Sequence, residues 1–328
     1  MAIKLLDIAY GRVRAPDLDE AERFLLAFGM RRAARTEGAL YMRGYGGSHH
    51  LHVVEQGDAG AVSLAFLAES ESDLLRASQL AGASPVEAIH EPGGGKRVRL
   101  TEPNGLCIEV VHGIAAAAAS PVPTHPLNTS DAPTRRAGGM TEMAPRPAHV
   151  WRIGHGVVFT PKVEETARWF MDTFGMLISD VVHDGVERNT VGNFLRLNRG
   201  AELVDHHTLF IAYAPVAGIH HLSFEVADLD DLLLGKEYLS GLPYAHLWGV
   251  SRHVQGGQIS DYWTDPTGVM LEHWTDSDRL DANEPTRYLT REQSRGPWGP
   301  PATAEFRAHA LTPIVPWGTA VTKEDANV

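Results

Sequence analysis

The 328-residue chain has one cysteine, Cys107, so no internal disulfide framework holds it together, and we expect a cytoplasmic protein in a reducing compartment. No apolar run approaches the roughly 18 residues of a membrane helix, and residues 1–7 form no long apolar stretch that would direct secretion. No membrane partner is therefore expected. Positive charge is also scarce, with 29 Lys and Arg against 41 Asp and Glu, a formal net charge of −12. Nucleic acid binds basic surfaces that release its counterions, so this balance argues against such a partner. What the chain has in quantity is histidine, seventeen in all, the side chain that most often ligates metals and that titrates near neutrality.

Residues 113–148 read as a linker, with an alanine run from Ala115 to Ala119 and prolines at 121, 123, 126, 133, 145 and 147. The linker separates two halves that repeat one another. Ile8-Ala9-Tyr10-Gly11-Arg12-Val13 opens the first and Ile153-Gly154-His155-Gly156-Val157-Val158 the second. Pro16 and Pro161 each lead into a helix with one apolar stripe, and both helices run out in Phe-Gly-Met, at Phe28 and Phe174. Val62-Ser63-Leu64-Ala65-Phe66 then matches His220-His221-Leu222-Ser223-Phe224. Thr101-Glu102-Pro103-Asn104-Gly105 through Glu109 matches Thr264-Asp265-Pro266-Thr267-Gly268 through Glu272. The offsets grow from 145 to 158 to 163 residues, as loop insertions in a duplicated unit would make them.

At the matched positions the first half carries Tyr10, Ser63 and Glu109, and the second carries His155, His221 and Glu272. Two imidazoles and a carboxylate on one face of a metal leave open positions that suit Fe(II) or Mn(II) holding both a substrate and O2. Taken singly, each of these residues is more commonly a packed or solvated strand residue; their shared place in a repeated unit is what singles them out. Other features carry less. Gly93-Gly94-Gly95-Lys96 lacks the spacing of a phosphate loop and reads as a hairpin turn. Cys107 reads as a buried small hydrophobe, and Asp180, Asp184 and Glu187 as a solvated loop.

The strings Gly154-His155-Gly156-Val157, Gly218-Ile219-His220-His221-Leu222-Ser223-Phe224, Ser251-Arg252-His253 and Tyr262-Trp263-Thr264-Asp265-Pro266-Thr267-Gly268-Val269-Met270-Leu271-Glu272 resemble the type I extradiol ring-cleaving dioxygenases of the vicinal oxygen chelate superfamily. The resemblance implies an α+β fold of four βαβββ modules paired into two domains: 1–112 without metal, a linker 113–150, a metal-binding domain 151–275, and a tail 276–328 acting as a lid or subunit contact. It implies an enzyme that opens a catecholic small molecule with O2 at Fe(II), with Mn(II) as the alternative, in a homo-oligomer. The second histidine of the pair, His221, is then the ligand, and His220 is expected on the opposite face of its strand.

Three further residues follow from the resemblance. His207, fourteen residues before His221, resembles the family's acid–base histidine, with His206 as its competitor. Tyr262 resembles the tyrosine that hydrogen-bonds substrate or bound oxygen, and His253 a second pocket histidine. One position departs from the homoprotocatechuate-cleaving members. They carry an arginine for the substrate carboxylate five residues before the loop histidine, and here that residue is Trp248. An uncharged side arm on the catechol is therefore expected. A hydroquinone dioxygenase, a glyoxalase-like lyase and a non-catalytic aromatic-binding protein share the fold and stand as alternatives.

Overall fold

In the computed structural model, residues 2–139, 141–186 and 189–318 are described. Chain order explains the architecture. β1 (Leu5–Ala15), α1 (Leu18–Ala27), β2 (Arg31–Arg35), β3 (Ala39–Arg43) and β4 (His52–Gln56) form one module. β5 (Gly60–Ala68), α2 (Glu71–Ala77), β6 (Glu87–Ala88), β7 (Lys96–Thr101) and β8 (Cys107–His112) form the next. The Asp17 carboxylate starts α1 by accepting from the Asp19 and Glu20 N–H groups, and α1 runs out at Gly29 with φ +104°. The Gly93–Gly95 turn connects β6 and β7 as a hairpin.

The second half repeats the plan: β9 (Val150–Thr160), α3 (Val163–Phe174), β10 (Leu177–His183), β11 (Thr190–Arg196), the short β12 (Val204–Asp205) and β13 (Leu209–Tyr213). Then come β14 (Gly218–Val226), α4 (Leu229–Ser240), β15 (Ala245–Arg252), β16 (Ile259–Thr264) and β17 (Met270–Thr275). The tail adds β18 (Arg279–Leu280), β19 (Arg287–Thr290), α5 (Ala304–Ala308) and β20 (Thr312–Pro313).

The strand orders are β2-β3-β4-β1-β5-β8-β7-β6 and β15-β16-β17-β14-β9-β13-β11-β10-β19. Read from opposite ends, they are the same sheet, except that β19 extends the second edge. This is an α+β fold of paired βαβββ modules.

The two sheets turn their apolar faces toward one shared core. Equivalent contacts cross it: Phe28 packs on Phe224 at 6.0 Å between ring centroids, and Phe174 on Phe66 at 6.1 Å. The halves meet closely where glycine leaves room. A Cβ on Gly11 would lie 2.5 Å from Leu222 Cδ1, and one on Gly156 3.0 Å from Leu64 Cδ1, the same contact made twice. With the apolar faces used in this way, the other faces are free for polar chemistry.

Asp180 corrects the reading of its surroundings as a solvated loop. It lies on β10 with no exposure and receives two hydrogen bonds from Arg287, each 2.7 Å. Asp184 does lie in a turn after that strand, and Glu187 falls outside the described residues. Cys107 is buried, and burial pushes its thiol up to about 12, as expected for a packing residue.

His52 on β4 is fully buried, and neither ring nitrogen has a hydrogen-bond partner. Burial drives its pKa down from 6.5 to about 4. The unfolded chain takes up this proton below 6.5, while the folded chain refuses it until about 4. Stability is therefore intact above pH 6.5 and falls as pH drops toward 4, by on the order of 3 kcal/mol from this residue. In His52→Leu that share of the slope should vanish. Urea unfolding of both proteins at pH 7 and pH 4.5 checks it, and an equal loss in the two would remove His52 as the cause.

Candidate metal centre

Three neighbouring strands carry the centre. β14 lies between β9 and β17, with Ser223 opposite both His155 and Glu272 in register. His155, His221 and Glu272 are all buried, and one ligand-capable atom from each lies within 4.8 Å of the others. Glu272 Oε2 sits 3.1 Å from His155 Nε2 and 3.2 Å from His221 Nε2, yet it is part of no directed hydrogen bond. Two imidazole nitrogens and a carboxylate oxygen aimed at one point, without satisfying each other, fit a divalent cation. Burial works to raise the Glu272 carboxyl, but the two imidazoles outweigh it and hold it well below the usual carboxylate range. The acid is thus an anion ready to ligate. Gly154 is part of the fit, because a Cβ there would meet the Trp274 indole at 2.5 Å, on the ring that flanks His155.

The expectation that His220 faces away from His221 is corrected. Between Ile219↔Val158 and His221↔Val157 the β14–β9 ladder slips by one residue, a bulge at His220. Ile219 and Leu222 stay in the core, so His220 and His221 both reach the cavity side. The His220 ring stacks on Phe159 at 4.4 Å between centroids and takes no place in the triad. The first half carries the same slip, between Arg12↔Ser63 and Val13↔Ala61.

Above the triad lies a cavity of about 800 Å³ that His207, His253 and Tyr262 also line. His207 lies 4.3 Å from His155 between ring centroids and against Phe194 at 4.9 Å. Burial first, then the neighbouring His155 and His206, holds its imidazole well below its ordinary value, so it is neutral at physiological pH. His206 turns the other way, with Nε2 3.3 Å from Asp180 Oδ2. His253 Nε2 and Tyr262 Oη are hydrogen-bonded at 2.9 Å, and burial, then Glu272, pushes the Tyr262 phenol well above its usual value. That hydroxyl keeps its proton and is able to donate it. Most of the remaining wall is apolar, including Val157, Val182, Phe194, Phe210 and Trp248, while Arg291 and Arg307 line it as exposed side chains.

The tail, expected as a lid or subunit contact, contributes residues to the cavity wall. Phe306 on α5 packs 4.9 Å from both Tyr262 and Trp248, and β20 pairs with β14 beside the histidine pair. Pro300 accepts from Trp248 Nε1 at 2.8 Å, which ties the tail to β15.

The first half shows what the same scaffold does without imidazoles. Tyr10 Oη donates to Glu109 Oε2 at 3.0 Å, and Ser63 Oγ donates to Oε1. The Arg12 and Arg97 guanidinium groups approach the same carboxylate at 3.4 and 3.3 Å. Side-chain cations surround this acid. Trp317 of the tail covers them, its ring 5.0 Å from Arg12 and 4.6 Å from Arg97.

Residues 152–273, which contain the triad, match the family model of the Glyoxalase/Bleomycin resistance protein/Dioxygenase superfamily. Among curated relatives, the chain is 27% identical over 299 residues to metapyrocatechase 2 of Cupriavidus necator, covering 90% of this chain and 89% of that protein. It is 30% identical over 152 residues to biphenyl-2,3-diol 1,2-dioxygenase of Paraburkholderia xenovorans (strain LB400), 45% of this chain and 47% of the relative. Homoprotocatechuate 2,3-dioxygenase of Brevibacterium fuscum, solved with 3,4-dihydroxyphenylacetate, superposes with a TM-score of 0.77 at 19% identity, over 94% of this chain and 93% of that one. The fold of that enzyme is thus present along nearly the whole chain.

Proposed function

We propose that the protein is an extradiol dioxygenase that cleaves a catechol-type ring beside its two hydroxyls with O2, in the breakdown of aromatic compounds. The observation that carries this is the convergence of His155, His221 and Glu272 at the floor of a cavity that also presents His207, His253 and Tyr262. The similarity to metapyrocatechase 2 over nine-tenths of the chain supports it. Fe(II) held by the triad, with Mn(II) as the alternative, would supply a Lewis-acid and redox centre for a chelated diol and O2.

The protein's own groups have separable parts. Neutral His207 takes a proton from a diol hydroxyl and returns one to the product. Tyr262 Oη donates to a substrate oxygen, held in place by His253. The aromatic wall keeps water away and strengthens these interactions. The organisation belongs to the same proposal: 1–112 without metal, 113–150 linker, 151–275 catalytic, 276–328 tail, with Phe306 as the lid's contact on the pocket. So do a cytoplasmic location and a homo-oligomeric assembly.

The substrate class follows from the wall. Trp248 stacks parallel to Tyr262 at 5.4 Å, and among the described residues lining the cavity the arginines, Arg291 and Arg307, are exposed, so an aryl or alkyl catechol fits best. Trp248→Arg should move the kcat/KM ratio toward catechols with a carboxylate arm by roughly 10- to 100-fold, the worth of a charge-assisted pair. A parent enzyme that already prefers carboxylated catechols would contradict this.

Anaerobic loading with Fe(II), followed by oxygen uptake and absorbance across catechol, 3-methylcatechol, 2,3-dihydroxybiphenyl, 3,4-dihydroxyphenylacetate and hydroquinone, tests the whole reading. One O2 consumed per diol with a yellow ring-opened product is expected for the apolar diols. No oxygen uptake with any of them would end the proposal, and uptake with hydroquinone alone would favour a different ring cleaver.

A further inference from the structure

His207 has two ring nitrogens, and only one form of the neutral ring makes it a base toward the cavity. Its Nδ1 lies 3.1 Å from His206 Nδ1, so one of these atoms carries a proton and the other accepts it. Nε2 is then the His207 nitrogen left to the cavity. Which way the shared proton points is decided on the far side of His206. There the Nε2 atom is buried, has no directed hydrogen bond, and faces Asp180 Oδ2 at 3.3 Å. A bare nitrogen lone pair facing a buried carboxylate oxygen is repulsive, whereas an N–H is attracted to it. Asp180 also accepts two hydrogen bonds of 2.7 Å from Arg287.

We infer that Asp180 and His206 are positioning residues that select the tautomer of His207. Asp180 holds the His206 proton on Nε2. His206 Nδ1 is then an acceptor, His207 Nδ1–H donates to it, and His207 Nε2 is left unprotonated toward the substrate. With the opposite order, His207 would present an N–H donor to the cavity and could not take a diol proton. The backbone fixes the pair, since Ser179 Oγ donates to the His206 carbonyl at 2.6 Å and His206 N donates to the Asp278 carbonyl at 3.1 Å. The catalytic consequence rests on the proposed ring cleavage; the proton placement does not.

Two substitutions separate this role from packing. His206→Asn keeps an acceptor near the place of Nδ1, and His206→Phe keeps a ring without one. In the iron-loaded enzyme His206→Phe should lower kcat roughly 10- to 100-fold, with anaerobic diol affinity within about threefold of the parent, while His206→Asn should recover most of the rate. Independently, histidine-selective ¹⁵N labelling of the metal-free protein, with His207 assigned through His207→Gln, should show Nδ1 protonated and Nε2 bare in the parent. That pattern should persist in His206→Asn and be lost in His206→Phe. Equal rates in the two variants, or a parent His207 protonated on Nε2, would overturn the inference. A parent that consumes no oxygen with any diol would instead defeat the functional reading and leave the ¹⁵N result to judge the tautomer.

Discussion

Glu272→Ala should remain folded, lose stoichiometric iron, and show ring cleavage reduced at least about a thousandfold, because the centre supplies both diol activation and co-location of the reactants. Glu272 is the acid of the triad, and its ligating oxygen is fully buried without a directed hydrogen bond. A dication left with two neutral imidazoles would keep an uncompensated charge in a desolvated site, which is expensive. Folding should survive, because removing the carboxylate also removes the cost of burying its charge, which offsets much of the attraction it gains from the two imidazoles.

Thermal unfolding gives a second readout. An ion present at about a thousand times its Kd adds about 4 kcal/mol to the parent, so chelation should lower the parent's Tm and leave the variant's unchanged. Iron at one per chain with parent-like turnover in Glu272→Ala would move the centre elsewhere. Metal analysis, oxygen uptake and melting with and without chelator are the measurements.

His207→Phe should lower kcat by roughly 10² to 10⁴ while iron content stays at the parent level, the span usual for loss of an acid–base group. The choice of phenylalanine follows from the surroundings. The ring packs edge-on against Phe194 at 4.9 Å and beside His155, so an apolar ring of similar size preserves the wall and removes only the nitrogens. Tyr262 and the triad remain, which is why some turnover should survive. Single-turnover experiments mixing the anaerobic diol complex with oxygen separate a slowed proton step from weakened binding. Turnover within a few-fold of the parent would assign the proton to another group, with His253 next in line because it too lines the cavity and bonds Tyr262 at 2.9 Å.

The candidate centre was legible because a duplicated unit lets one half interpret the other. Tyr10, Ser63 and Glu109 in one copy and His155, His221 and Glu272 in the other occupy the same ladder positions: Tyr10 pairs with Ala65, and His155 with Ser223. Strand alternation converts such spacing into a shared face. The same rule misplaced His220, because a bulge breaks alternation at one residue without changing the residue types around it. Asp180 was misread for a different reason. A lone acid in a mostly apolar stretch shows no sign of a buried partner until Arg287, more than a hundred residues later, pairs with it.

Sequence alone determined the repeat, the module order and which copy bears imidazoles, since these depend on residue identity and on spacing within one strand or helix. Tertiary structure alone decided the rest: the 3.1 and 3.2 Å approaches at Glu272, the cations and Trp317 that fill the first half's equivalent centre, and the cavity wall built from β9, β11, β13, β15 and α5. Those features arise from contacts between segments far apart in the chain. Their free energies depend on packing and desolvation in the assembled fold, and no local pattern encodes them.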